Sequence, residues 1–135
     1  MKLNSAEEVK KWLSSLPVMR QEIKLKIAFY QDLTQDMKKL KEAGKKHAGY
    51  YLSQIQKLEN KLHQADRDFD KMLEVLEPDE RLILTARYVR HILWSCIRFH
   101  VYFSERQAIR IHNRALKKLV GFTVGEEEEN EKRKN

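Results

Sequence analysis

Glycine and proline are scarce in this chain, at four and two of 135 residues. Both interrupt regular backbone. Their scarcity, beside abundant Lys, Glu, Gln, Leu and Arg, predicts an all-α protein. Strand-like alternation is sustained nowhere. Cys96 is the single cysteine, so no internal disulfide can form. Its apolar neighbours predict a small core residue. No run approaches the roughly 18 apolar residues of a membrane span, and Lys2 leads into polar residues rather than a signal sequence. No membrane partner is expected, and the expected location is the cytoplasm.

Recognisable site chemistry is also missing. The five histidines form no His-x-x-x-His or Cys–His cluster of the kind that holds zinc. Asp66, Asp68, Asp70 and Glu77 are spaced like a calcium loop, but Lys71 stands where such a loop needs glycine. The helical period also runs straight through it by way of Phe69 and Met72. There is no Gly-rich phosphate loop and no legible pairing of a nucleophile with a base. No metal, no cofactor and no catalytic residue are assigned, and an enzyme is not expected.

What is present is charge and helical periodicity. Lys and Arg number 27 against 20 Asp and Glu, a formal charge of +7 that favours a polyanionic partner. Residues 76–122 carry nine basic and four acidic side chains, the densest surplus in the chain. Residues 123–135 carry three basic and five acidic, with hardly an apolar residue, which predicts a disordered charged tail.

Ser5-Ala-Glu-Glu8 is a capping-box pattern that opens a short helix within residues 1–17, with Val9, Trp12, Leu13 and Leu16 on its apolar side. Pro17 marks its end or a sharp bend. A second helix runs from about residue 18 to 43, and Gly44 and Gly49 bracket a turn predicted by composition. The third helix is the most regular: Tyr51, Ile55, Leu58, Leu62, Ala65, Phe69, Met72 and Leu76 alternate steps of four and three. That is a coiled-coil seam. Residues 18–76 therefore read as a helical hairpin or a pairing arm. Ile55, Leu58, Leu62, Ala65, Phe69 and Met72 are the candidate contacts of a homo-oligomer, a dimer or higher. Pro78 ends the seam and suits the first turn of the next helix, where Asp79 and Glu80 complement the positive dipole end.

Residues 77–122 hold three short helical segments with brief connections, the arrangement of a helix-turn-helix. The last has the clearest grammar. Ser104 and Gln107 form a second capping box. Ala108, Ile111, Ala115, Leu116 and Leu119 share one face. The other face presents Ser104, Glu105, Arg106, Gln107, Ile109, Arg110, Asn113 and Arg114, with Lys117 and Lys118 near its end. Arg can bond guanine bidentately, and Gln or Asn can do so with adenine. These ten residues are the candidate contacts to double-stranded DNA. His112, beside that face, is a candidate phosphate contact.

The segment 76–119 resembles the fourth region of bacterial sigma factors. More closely, it is similar to phage late-gene regulators of the ArpU/RinA type. The resemblance rests on Pro78-Asp79-Glu80-Arg81, Ile83-Leu84, Arg87-Tyr88, Trp94, Ile97, Phe103-Ser104-Glu105-Arg106 and the run Arg110 to Leu119, about a third of the chain. It implies a sequence-specific transcriptional regulator in a bacterial host, with Glu105, Arg106, Ile109 and Arg110 touching bases and activation requiring RNA polymerase. The chain departs from the pattern at two places. Arg98 stands where a small residue is usual, and Tyr102 where the turn usually has Gly or Asn. A phage small terminase subunit and a coiled-coil interaction protein without DNA binding are the alternatives. Mass in solution and salt-sensitive DNA binding separate them.

Overall fold

The structure is a computed structural model in which residues 1–40 and 42–125 are described. Among these residues the elements are α1 (Ala6–Lys38), α2 (Glu42–Glu74), α3 (Pro78–Tyr88), a 3-10 helix (Trp94–Phe99) and α4 (Glu105–Lys118). The protein is all-α; strand-like pairing among the described residues is confined to one antiparallel bridge between Lys2 and Thr123. No helix among them is long and apolar enough to cross a membrane. The chain divides into two units. One is Val18–Asp66, and the other combines Met1–Pro17 with the chain from Arg67 onward.

The unit Val18–Asp66 is an antiparallel helical hairpin. Arg20 donates to the Asp66 carboxylate at 2.6 Å. The Tyr30 and Tyr51 rings lie 5.9 Å apart. Ile23 and Ile55 are buried, and Thr34 is buried with its hydroxyl donating to the Tyr30 carbonyl. The turn does not lie between the two glycines. It falls at Lys39–Leu40, and Gly44 and Gly49 both lie inside α2. Gly44 is there for closeness, since a Cβ on it would stand 1.7 Å from the Met37 carbonyl oxygen. Only glycine lets α2 start this near the end of α1.

Pro17 does not end a helix. α1 runs through it from Ala6 to Lys38. Proline removes one donor from the ladder, and the helix on either side is held by burial of Leu13 and Leu16 before it and of Ile23 after it. The opening cap is as expected, with the Glu8 amide donating to the Ser5 hydroxyl. The partner bond differs slightly, because Glu8 takes the amide of Asn4 rather than that of Ser5.

Of the seam expected to serve a hairpin or a second copy, most positions are buried within the chain. Ile55, Ala65, Phe69, Met72 and Leu76 are buried, and Leu58 and Leu62 are half-buried, with no second chain present. The heptad period is real, and within Val18–Asp66 the hairpin covers part of it, leaving Leu58 and Leu62 half-buried.

In the other unit, the core beneath the last three helices is Ile83, Ala86, Ile92, Ile97, Val101, Ala108 and Ile111, with Trp94 and Phe103 packed against it. Leu3, Val9, Leu13 and Leu16 are buried in the same unit. Its two ends meet. The Leu3 amide donates to the Phe122 carbonyl at 2.9 Å, and the Val124 amide to the Met1 carbonyl at 2.8 Å. Val124 is buried, and Gly125 donates its amide to Asp68 at 3.0 Å. The first residues of the expected disordered tail are therefore ordered by backbone pairing; its remainder, residues 126–135, lies outside the described residues. Gly121 adopts φ +91° just before this pairing, a conformation that favours glycine.

The two helical glycines give opposite expectations. Gly44→Ala should destabilise the fold by about 1–3 kcal/mol, the usual range for forcing extra volume into a packed site. Gly49→Ala meets nothing within 4 Å and should stabilise by about 0.5–1 kcal/mol, because alanine loses less backbone freedom in a helix. Urea midpoints of the two variants test this, and equal shifts of one sign would contradict the hairpin geometry at Gly44.

Candidate nucleic-acid interface

α3 begins as its sequence directs. Pro78 is its first residue, and the Glu80 carboxylate reaches back to accept the Glu77 amide at 2.8 Å. Glu80 then does more than cap. Its side chain is 0% exposed and also receives Arg114 Nε at 3.0 Å and Lys118 Nζ at 2.8 Å. Arg114 donates with its other nitrogen to Asp79 at 2.5 Å. Three charge-assisted bonds thus tie the carboxyl-terminal half of α4 to the first turn of α3.

This changes two of the expected DNA contacts. Arg114 and Lys118 have carboxylate partners within the fold, and phosphate or base contact would have to displace them. Burial raises the Glu80 pKa, but Lys118, the Glu77 amide and Arg114 together outweigh it and hold the carboxyl below its ordinary value. Asp79 is likewise lowered, chiefly by Arg114.

α4 itself starts where expected. The Gln107 amide donates to the Ser104 hydroxyl at 3.2 Å, and the Ser104 amide donates to Gln107 Oε1 at 2.9 Å. Ala108, Ile111, Ala115, Leu116 and Leu119 are all buried, so the inner face matches the sequence period. The outer face divides in two. Arg98, Ser104, Glu105, Arg106 and Ile109 line one open cleft at the helix start. Asn113 and Lys117 line another with Ala6, Glu7 and Lys10 of α1.

Arg106 and Arg110 are exposed and make no hydrogen bond or ion pair with any described residue. Gln107 and Asn113 are exposed but partly occupied. Gln107 Oε1 serves the cap, and Asn113 Oδ1 faces His112 Nδ1 at 3.1 Å. Bidentate pairing with adenine needs that oxygen as well as the amide nitrogen. Arg106 and Arg110 thus keep their guanidinium groups free of partners among the described residues.

No family model, curated protein or solved structure matches this chain. The geometry therefore stands by itself.

His112 is not a phosphate contact. It is buried, with Nε2 2.6 Å from the Tyr88 hydroxyl. Its ring stacks beside Tyr88 and meets Trp94 edge-on at 5.0 Å. The bonds fit one tautomer, in which neutral Nε2 accepts from Tyr88 and Nδ1–H donates to Asn113. Burial holds the His112 pKa below its ordinary 6.5, opposed by Asn113 and reinforced by Arg87 and Lys10. Burial also raises the Tyr88 phenol. The network sets the side of α4 from which Asn113 projects.

The second helix of the expected motif is a 3-10 helix in which Ile97 alone is buried. Its tighter winding aligns every third residue, so Trp94 and Ile97 turn inward together and Cys96 turns out. Cys96 is exposed rather than a core residue. Arg98 also leaves the helix crossing and lies 4.8 Å over the Phe99 ring. Sequence reading missed Arg98 and Lys10 as neighbours of the α4 surface. The departure from pattern at Arg98 was the available signal, whereas Lys10 carried none.

Acid should unfold this unit in two stages. His112 binds protons more readily unfolded than folded, so stability falls as pH drops below 6.5. Asp79 and Glu80 are depressed, so their contribution is present above about pH 4.5 and is lost as pH falls through their lowered folded values. Denaturation free energies measured from pH 8 to 3 should show both losses, and His112→Gln should remove the upper one alone. A wild-type stability that is flat from pH 7 to 5 would rule out the buried neutral imidazole.

Proposed function

We propose that α4 reads double-stranded DNA and that the chain is a sequence-specific transcriptional regulator. The observation that carries this reading is the division of labour along α4. Its second half is clamped to α3 through Glu80, while its first two turns present Arg106 and Arg110 with no partner among the described residues. α4 packs on both α3 and the 3-10 helix, as the reading helix of a helix-turn-helix does.

In this reading Arg106 and Arg110 take guanine edges, Ile109 meets a thymine methyl group, and Glu105 accepts from cytosine. Lys117, Lys10 and Arg98 hold phosphates on either side. The clamp makes the reading end rigid before DNA arrives, so less ordering entropy is lost on binding. The finer statement, a phage late-gene regulator that works with RNA polymerase, rests on the sequence resemblance over Pro78–Leu119.

Binding should be strongly salt-dependent, with a log–log slope of about −5 if six phosphates are neutralised. At one fixed salt concentration Arg110→Ala should cost about 1–3 kcal/mol on a site selected from random duplexes and relax preference at one or two base pairs. Lys118→Ala should lower the unfolding midpoint through Glu80 and leave the affinity of the folded protein nearly unchanged. Equal loss on selected and random DNA for Arg110→Ala would make it a phosphate anchor and move base reading elsewhere.

A further inference from the structure

Residues 81–104 contain four arginines and two histidines and no acidic residue. The stretch also holds Phe99 and Tyr102, residues that are 71% and 102% exposed. Such exposure is unusual for large rings that pack nowhere. Phe99 is the last residue of the 3-10 helix, and Tyr102 sits on the short segment that leads from it into the Ser104 cap of α4. Phe99 is connected to the cleft at the start of that helix through Arg98. The Arg98 guanidinium covers one face of Phe99 at 4.8 Å and also lines the cleft shared with Arg106 and Ile109.

We infer that Phe99 and Tyr102 form a base-stacking edge that takes an unpaired nucleobase next to the duplex read by α4. This rests on the DNA-binding reading above and extends it. In a closed duplex the base faces are stacked on each other, so an exposed ring finds only edges and methyl groups there. An unpaired base offers its whole π face, which aromatic side chains and arginine take up regardless of sequence. Arg98 and Arg106 line the adjoining cleft beside the one carboxylate of Glu105, and their charge fits the strand's phosphates. Arg98 covers only one face of Phe99, and Tyr102 is open on both faces.

The test compares three DNAs of the same sequence by fluorescence anisotropy at one salt concentration: a perfect duplex, a duplex with one unpaired adenine, and a duplex with a short single-stranded gap. The wild-type protein should bind the second and third about tenfold more tightly than the first, the scale expected for one stacked base. Tyr102→Ala should reduce that preference while leaving perfect-duplex affinity unchanged, and Phe99→Ala should reduce the preference as well. Tyr102→Phe should retain it. Tyr102 touches nothing in the fold, so its replacement does not threaten folding. Quenching of an unpaired 2-aminopurine, lost in Tyr102→Ala, would place the base against the ring.

Perfect-duplex binding with no preference for either interrupted DNA would overturn this inference and leave the reading of α4 intact. The exposed rings would then belong to a protein contact. Failure to bind any of the three would overturn both.

Discussion

One buried carboxylate organises the packing of α4 against α3. Glu80 has no exposed surface, yet it caps the first turn of α3 and receives both Arg114 and Lys118 from α4. A lone buried charge is expensive, and partners make it tolerable only where they satisfy its oxygens. Here every bond that satisfies Glu80 also fixes α4 against α3. Removing any member would leave the others mispaired, so the two helices are held in one register. The polar network beneath, Tyr88 to His112 to Asn113, sets the remaining side of α4 in the same way.

A consequence is that the charge on α4 has two uses. Arg114 and Lys118 hold the fold, and Arg106 and Arg110 are free of partners among the described residues. A helical wheel cannot separate them, because Arg106, Arg110 and Arg114 lie one turn apart on a shared stripe. What separates them is Glu80, placed 34 residues before Arg114 by a contact between helices. The same logic explains Arg98. At a position where a small residue packs in similar motifs, its long side chain swings out and lies on Phe99, and the short 3-10 winding lets the core close without it.

Local chemistry was legible in the sequence where it is decided locally. The caps at Ser5 and Ser104, proline at the start of α3, and the buried stripe Ala108, Ile111, Ala115, Leu116 and Leu119 all follow from near neighbours. Features decided by distant partners were not legible. Pro17 lies inside a helix because packing on both sides holds it. Gly44 looks like a turn residue but serves a close approach to Met37. The heptad seam from Ile55 to Met72 looks the same whether its partner is another chain or its own. Thr123 and Val124 look like tail until Met1 and Leu3 are seen beside them. Of the ten residues expected at DNA, the structure leaves Arg106 and Arg110 free and ties Arg114 and Lys118 to the fold; nothing short of the Glu80 contact distinguishes these pairs.

On the proposed reading, the Glu80 clamp leaves Arg106 and Arg110 open to DNA and withholds Arg114 and Lys118. This reading is tested most directly by nuclear magnetic resonance of the isotope-labelled protein titrated with duplex DNA, following backbone amides and arginine Nε–H signals together. The account predicts shifts concentrated at Arg98 and from Ser104 to Arg110, with the Arg114 Nε–H signal unmoved and still bonded to Glu80. Shifts centred on Arg114 and Lys118, or confined to the unit Val18–Asp66, would contradict it.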